Sequence, residues 1–259
     1  MAVDPHNKSL DDRLRLQELR RFIERMMEQQ VLRDALVLPA LSQLQLLLGA
    51  LATARAELAD EVRSRLLAAM IMIYHGLCMH DAVEEGAVPV QERRQLTILG
   101  GDYLSSLFYK VLADTGHVEA VSVFAKAIAA INEAKMSRHQ ARLNNLYSEP
   151  EYIRNGETIH GALLHTLCEL FVPEDRVLAF IDLAVAAAAW NEEMAITRRL
   201  GQQTRHDALE RVFDGFRDAL ARLRVASAEL FGAEAWTQIQ TLFTYAETSV
   251  ASTKAVEGG

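Results

Sequence analysis

With 259 residues, half of them hydrophobic, the chain can bury a sizeable core without disulfides or structural metals. Thirteen glycines and five prolines make up about 7% of it, against about 12% in an average protein, so the punctuation that many-turned β folds need is scarce and an all-α fold is expected. Twenty-seven Lys and Arg against 35 Asp and Glu leave a net charge of −8 with no basic tract, a field that repels a phosphate polymer and argues against nucleic acid as a partner.

Met1 to Lys8 and Thr253 to Gly259 are expected to be disordered ends of a single all-α domain over residues 9–252. The opening residues hold an early acid and no apolar run before Leu10, so no signal peptide is visible and a cytoplasmic location is expected. Pro5, Pro39, Pro89, Pro150 and Pro173 fall between periodic segments. A proline inside a helix costs roughly 3 kcal/mol, so each marks a loop or a helix start. Between them the periodicity predicts helices at about Leu10 to Gln30, Leu38 to Thr53, Leu58 to His80, Glu92 to Asp114, Val118 to Tyr147, Gly156 to Phe171, Pro173 to Leu200, His206 to Phe231 and Ala233 to Ser252. The expected architecture is a bundle of eight to ten helices.

The first helix sets Leu16, Leu19, Ile23 and Met26 against Arg13, Arg20, Arg21 and Arg25. A basic amphipathic helix can touch a membrane surface, but a solvated face beside an apolar stripe is the simpler reading. The longest apolar stretches, Leu66 to Tyr74 and Ala184 to Trp190, fall short of the ~20 residues of a bilayer span. Cys78 and Cys168 lack CxxC spacing and read as buried small hydrophobes in a reducing compartment. His75 and His80 are five residues apart, as are His160 and His165, so neither pair shares a helix face as two metal ligands would; all four read as structural or surface histidines.

The region from Tyr74 to His139 carries the most chemistry. Asp81, Glu84 and Glu85 are spaced i, i+3, i+4, and would converge on one face if the helix continues that far. Such carboxylates suit Mg²⁺ bridging to a diphosphate, while an acidic helix end facing water is the plain alternative. In the next helix Gly100 and Gly101 interrupt a stripe of Leu96, Leu99, Tyr103 and Leu107. Each glycine costs roughly 1 kcal/mol relative to alanine, a cost that close approach of another helix backbone, within the fold or across a subunit contact, would offset. Asp102 beside them would need a hydrogen-bonding partner if buried, and reads as a structural carboxylate ahead of a general base.

The succession from His75 through Asp81 to Glu84, then Arg94-Gln95-Leu-Thr-Ile-Leu-Gly100-Gly101-Asp102-Tyr103, then Ile131-Asn132-Glu133-x-Lys135, strongly resembles component 1, the small subunit, of bacterial heptaprenyl diphosphate synthase. The resemblance is concentrated in about 65 residues, and weaker similarity continues through Gly156 to Phe171. It implies a degenerate relative of the trans-prenyltransferases, with an isoprenoid-synthase fold.

Active trans-prenyltransferases clamp the departing diphosphate with Mg²⁺ held between two Asp-Asp-x-x-Asp motifs, because the leaving charge must be neutralised as the C–O bond breaks. At the first motif's place this chain reads Asp81-Ala82-Val83-Glu84-Glu85. Ile159-His160 stands where active members have Lys-Thr, and Arg93-Arg94 lies near the diphosphate-binding Arg-Arg-Gly position without matching its context. No second aspartate-rich motif follows: Asn191-Glu192-Glu193 lies at a suitable distance but is a single acidic step, and Glu210, Asp214 and Asp218 look like a solvated face. Losing most of two clusters should erase the ~10⁶-fold or greater acceleration expected of an enzyme.

The resemblance therefore implies a subunit with no catalytic residue, no metal and no cofactor of its own. Its partner would be a large subunit that carries both Asp-rich motifs and the Mg²⁺. The heterodimer would extend farnesyl diphosphate with isopentenyl diphosphate to the heptaprenyl chain of menaquinone. Subunit contact would fall on the Arg94 to Tyr109 and Val118 to Met136 helices, with Arg94, Gln95, Gly100, Gly101, Asp102, Tyr103, Asn132, Glu133 and Lys135 as contact or structural residues. Two rivals are a stand-alone terpenoid synthase using Asp81, Glu84 and Glu85 for Mg²⁺, which would form product alone, and a helical adaptor, which would bind no large subunit.

Overall fold

A computed structural model describes residues 5–30, 41–84, 91–146, 148–172, 174–200 and 206–243. Among these there are nine helices and no strand: α1 (Pro5–Met27), α2 (Gln43–Thr53), α3 (Asp60–Glu84), α4 (Gln91–Asp114), α5 (Ala120–Leu143), α6 (Glu149–Phe171), α7 (Asp175–Leu200), α8 (His206–Phe231) and α9 (Ala233–Thr241). The all-α expectation holds, with a helix in each of the nine expected places. Helix α1 begins at Pro5, within the segment expected to be disordered; residues 1–4 and 253–259 lie outside the described residues. The chain gathers into two compact units, residues 1–124 with 169–173, and residues 125–168 with 174–259.

In the first unit α3 is the central element, packed against α1, α2 and α4. Eight consecutive residues, Leu66 to Ile73, are buried. A helix hydrophobic all round belongs inside a core. The whole helix is longer than its apolar stretch suggests: over Asp60–Val83 it has the length and composition of a membrane span, but most of its apolar part is buried inside the protein. Helix α1 contributes Ile23 and Met27 to the core and leaves Arg21 and Arg25 exposed, the solvated face its pattern predicts. Phe108 of α4 meets Phe124 of α5 edge to face at 5.5 Å.

The α3–α4 contact explains the glycines. A methyl group added at Gly101 would stand 3.0 Å from the Gly76 carbonyl oxygen and 2.7 Å from His80 Nε2; one added at Gly76 would stand 3.0 Å from the Gly101 carbonyl oxygen. The two backbones touch where neither residue has a side chain, so tight packing within the fold offsets the propensity cost of glycine. Gly100 is buried as well.

Three helix ends follow from capping chemistry. Ser42 caps α2: its hydroxyl accepts from the Gln45 amide at 3.3 Å. Helix α4 stops because Gly116 takes φ +78°, letting the His117 amide reach back to Leu112 O at 3.0 Å and the Gly116 amide to Ala113 O at 3.1 Å. Asn145, at φ 55°, does the same for α5, with Leu146 N donating to Ala141 O at 2.9 Å. That left-handed asparagine ends α5 at Leu143, four residues before the expected Tyr147. Helix α6 starts at Glu149 instead of Gly156: Pro150 tolerates the first turn, and Glu149 and Glu151 suit its positive end.

The second unit packs α7 against α8 and α8 against α9. Val212, Phe216, Ala219 and Leu223 form the buried stripe of α8, at 4-3-4 spacing. Phe180 meets Phe231 at 5.1 Å, and Phe216 meets Phe243 at 6.1 Å.

The backbone amide of Ser42 donates to Nε2 of buried His75 at 3.2 Å, so the neutral ring holds the start of α2 on α3. Burial pushes the His75 pKa down to about 4. Unfolded histidine titrates near 6.5, so the unfolded chain takes up a proton that the folded one refuses. Stability is full above about pH 6.5 and falls by up to about 3 kcal/mol as the pH drops through the folded value. Urea unfolding of the natural chain and His75→Gln between pH 7 and pH 4 checks this: the natural chain should lose more, and equal slopes would contradict it. At the α3–α4 crossing, Gly101→Ala should cost about 1 kcal/mol net and Gly101→Val about 3 kcal/mol, whereas exposed Ser106→Ala should stay within about 0.5 kcal/mol. Chemical denaturation reads all three.

Candidate functional site

The first unit holds the degenerate metal motif. Asp81 is half-buried near the end of α3, Glu84 is the helix's last residue, and Glu85 lies outside the described residues. The described helix thus carries two of the three expected carboxylates. No group of three His, Cys, Asp or Glu side chains able to hold a metal ion occurs among the described residues.

On α4, Arg94 and Gln95 are exposed in the first turns, Gly100 is buried, Gly101 is buried against α3, and Tyr103 is half-buried. Asp102 is 63% exposed, with Oδ1 3.5 Å from His80 Nε2. Exposed in this way, Asp102 does not meet the condition of burial under which it would need a hydrogen-bonding partner. Asn132 and Glu133 are exposed and Lys135 half-buried on the part of α5 that belongs to the second unit.

The second unit holds a tighter polar cluster. Glu192 of α7 receives Arg138 Nη1 of α5 at 3.0 Å on Oε1 and 3.1 Å on Oε2, and His160 Nε2 of α6 lies 3.1 Å from Oε2. A carboxylate only accepts, so His160 carries its proton on Nε2 toward Glu192. Arg138 also donates from Nη2 to the Tyr152 carbonyl at 2.8 Å, and its guanidinium lies 3.7 Å from the centre of the Tyr152 ring. Its side chain is 12% exposed, that of Glu192 33%. Burial raises the Glu192 pKa, but the interactions with His160 and Arg138 outweigh it and hold the carboxyl below its ordinary range. Glu193 beside it is buried.

Sequence reasoning reached Glu192 and His160 separately and did not consider Arg138 or Tyr152. A long-range signal existed: two consecutive glutamates after the run Ala184 to Trp190 must be answered by positive charge wherever that helix is buried. The other histidines also take partners, His165 at 2.9 Å from Asp182 and His75 on Ser42. Glu210, Asp214 and Asp218 are exposed on α8, the latter two beside Arg217 and Arg222, which is the solvated face expected.

Among the described residues no three carboxylates gather as a diphosphate-clamping Mg²⁺ site would require: Asp81 and Glu84 belong to α3, Glu85 lies outside the described residues, and Glu192 is already engaged by an arginine and a histidine.

Comparison with known proteins places this geometry in a family. Heptaprenyl diphosphate synthase component 1 of Geobacillus stearothermophilus is 32% identical over 114 residues, which make up 44% of this chain and 50% of that protein, so the match spans about half the relative's length. Among solved structures, a polyprenyl synthase from Caulobacter crescentus is similar at a TM-score of 0.67 and 14% identity, covering 91% of this chain and 94% of that one. Heptaprenyl diphosphate synthase from Staphylococcus aureus gives 0.62 and 12%, covering 94% and 99%. At such identities these likenesses establish the fold: the polyprenyl synthase bundle. Residues 31–204, well over half of the chain, match the family model described as heptaprenyl diphosphate synthase (HEPPP synthase) subunit 1, and the chain belongs to that family.

Proposed function

We propose that this chain is the partner-dependent small subunit of a heterodimeric all-trans polyprenyl diphosphate synthase. A large subunit with two Asp-Asp-x-x-Asp motifs supplies the Mg²⁺ and the chemistry. Together they add isopentenyl diphosphate to farnesyl diphosphate and produce the heptaprenyl chain of menaquinone in the cytoplasm. The small subunit has no catalytic residue; it holds the partner in its active form and lines part of the channel that limits chain length.

One observation carries the reading. Helix α4 buries Thr97, Gly100, Gly101, Leu104 and Phe108, yet leaves Ile98 40%, Leu99 60% and Tyr109 49% exposed. This is the helix that the family resemblance marks for subunit contact. Val118 and Met136, at the two ends of the second segment so marked, are exposed as well. Large apolar groups facing water on a well-packed helix are what a partner surface requires, with an exposed tyrosine as a suitable anchor. Asp102 and Ser106 lie exposed between them and can pair at its rim.

The chemistry supports the same division of labour. Ionising an allylic diphosphate needs cations on both sides of the departing group. Where the resemblance puts the first clamp this chain reads Asp81-Ala82-Val83-Glu84-Glu85, and Glu192 is engaged by Arg138 and His160, so on this reading neither clamp is complete. Binding a partner that favours one conformation of the catalytic subunit stabilises it by mass action without any chemistry in the small subunit.

Co-expression with a chain bearing both Asp-rich motifs tests the proposal. The two should co-purify, and prenyl-chain extension should require both. Leu99→Glu combined with Tyr109→Ala should leave helicity unchanged and stability within about 1 kcal/mol, while weakening partner binding by at least about 2 kcal/mol, roughly thirty-fold in Kd. Product formed by this chain alone with Mg²⁺ and both diphosphates would contradict the reading.

A further inference from the structure

Helix α7 is lined with buried alanines at 184, 187, 188 and 189 and turns acidic at Glu192-Glu193. A half-buried carboxylate is held charged by the hydrogen-bond donors and cations beside it, and such a cation is either a metal ion or a basic side chain. The two compete for the same oxygens. Around Glu192 the choice is made by a seat built for a guanidinium. Arg138 Nη1 reaches both oxygens, Nη2 is tied to the Tyr152 carbonyl, and the Tyr152 ring supports the guanidinium face. Gly156 leaves the necessary room: a methyl group there would lie 2.6 Å from Nη2. With His160 on Oε2, three of the carboxylate's roughly four lone-pair positions are taken.

We infer that Arg138, seated by Tyr152 and Gly156 and assisted by His160, is the permanent counter-cation of Glu192 and closes that carboxylate to divalent metal ions. Arg138 is a positioning residue: it replaces a removable ion with one that is part of the chain. A divalent cation would have to approach within about 2.0–2.6 Å of oxygens that already hold N–H donors, against the charge of the guanidinium. The cluster lies within one unit of this chain, so the inference stands whether or not the partner reading does.

Mn²⁺ titration of the full chain, followed by the electron paramagnetic resonance of the free ion, tests it. Glu192→Gln should bind as many Mn²⁺ ions as the natural chain, because Glu192 holds none. Arg138→Gln should gain one site, at least about tenfold tighter than any in the natural chain, and its melting temperature should rise with Mn²⁺. Arg138→Gln with Glu192→Gln should lose that site, and Arg138→Lys should stay closed. Loss of a bound Mn²⁺ on Glu192→Gln alone would overturn the inference, as would a folded Arg138→Gln that gains none. If Arg138→Gln does not fold, natural chain against Glu192→Gln decides by itself.

Discussion

A half-buried carboxylate, Glu192, ties the second unit together. Glu192 stays ionised because Arg138 and His160 come to it from two other helices, so one charge ties α5, α6 and α7 together. Such a network is demanding: each member, once withdrawn from water, costs several kcal/mol if its partner is lost. The small residues around it serve that requirement, Gly156 by giving the guanidinium room and Ala189 by letting α7 lie close to α6. The same constraint shapes function, because oxygens committed to a guanidinium are not open to a metal.

The first unit rests on a different kind of economy. Gly76 and Gly101 let α3 and α4 touch backbone to backbone, and this fixes which face of α4 is turned inward. Its opposite face then presents Ile98, Leu99 and Tyr109 to water. Internal packing and outward apolar display are thus two consequences of one helix orientation. Under the proposed function that display has a purpose, as the surface a partner subunit would cover.

Most of the fold is legible in the sequence because helix periodicity is a local property: nine apolar stripes predict nine helices. The ends were harder. Asn145 closes α5 through a left-handed conformation that asparagine adopts less readily than glycine, so it does not read as a stop. Gly156 reads as punctuation, yet it lies inside α6, where its missing side chain makes room for Arg138. At Gly101 the propensity cost points to a close approach, and the Gly76 backbone supplies it. The polar cluster was only half legible: the acidic step after an alanine-rich run signals a buried charge, but Arg138 lies 54 residues away and nothing local points to it. For Asp102 the sequence leaves burial open, and the helix register settles it by exposing the side chain.

The central claim is that metal chemistry belongs to a companion chain while this one supplies a surface. A crystal structure of the two chains together, with Mg²⁺ and an unreactive allylic diphosphate, tests it most directly. The account predicts metal ions coordinated by the companion alone, Arg138 still on Glu192, and Ile98, Leu99 and Tyr109 buried at the contact. A metal ion on Glu192 with Arg138 displaced, or a diphosphate clamped between Asp81 and Glu192 of this chain, would contradict it.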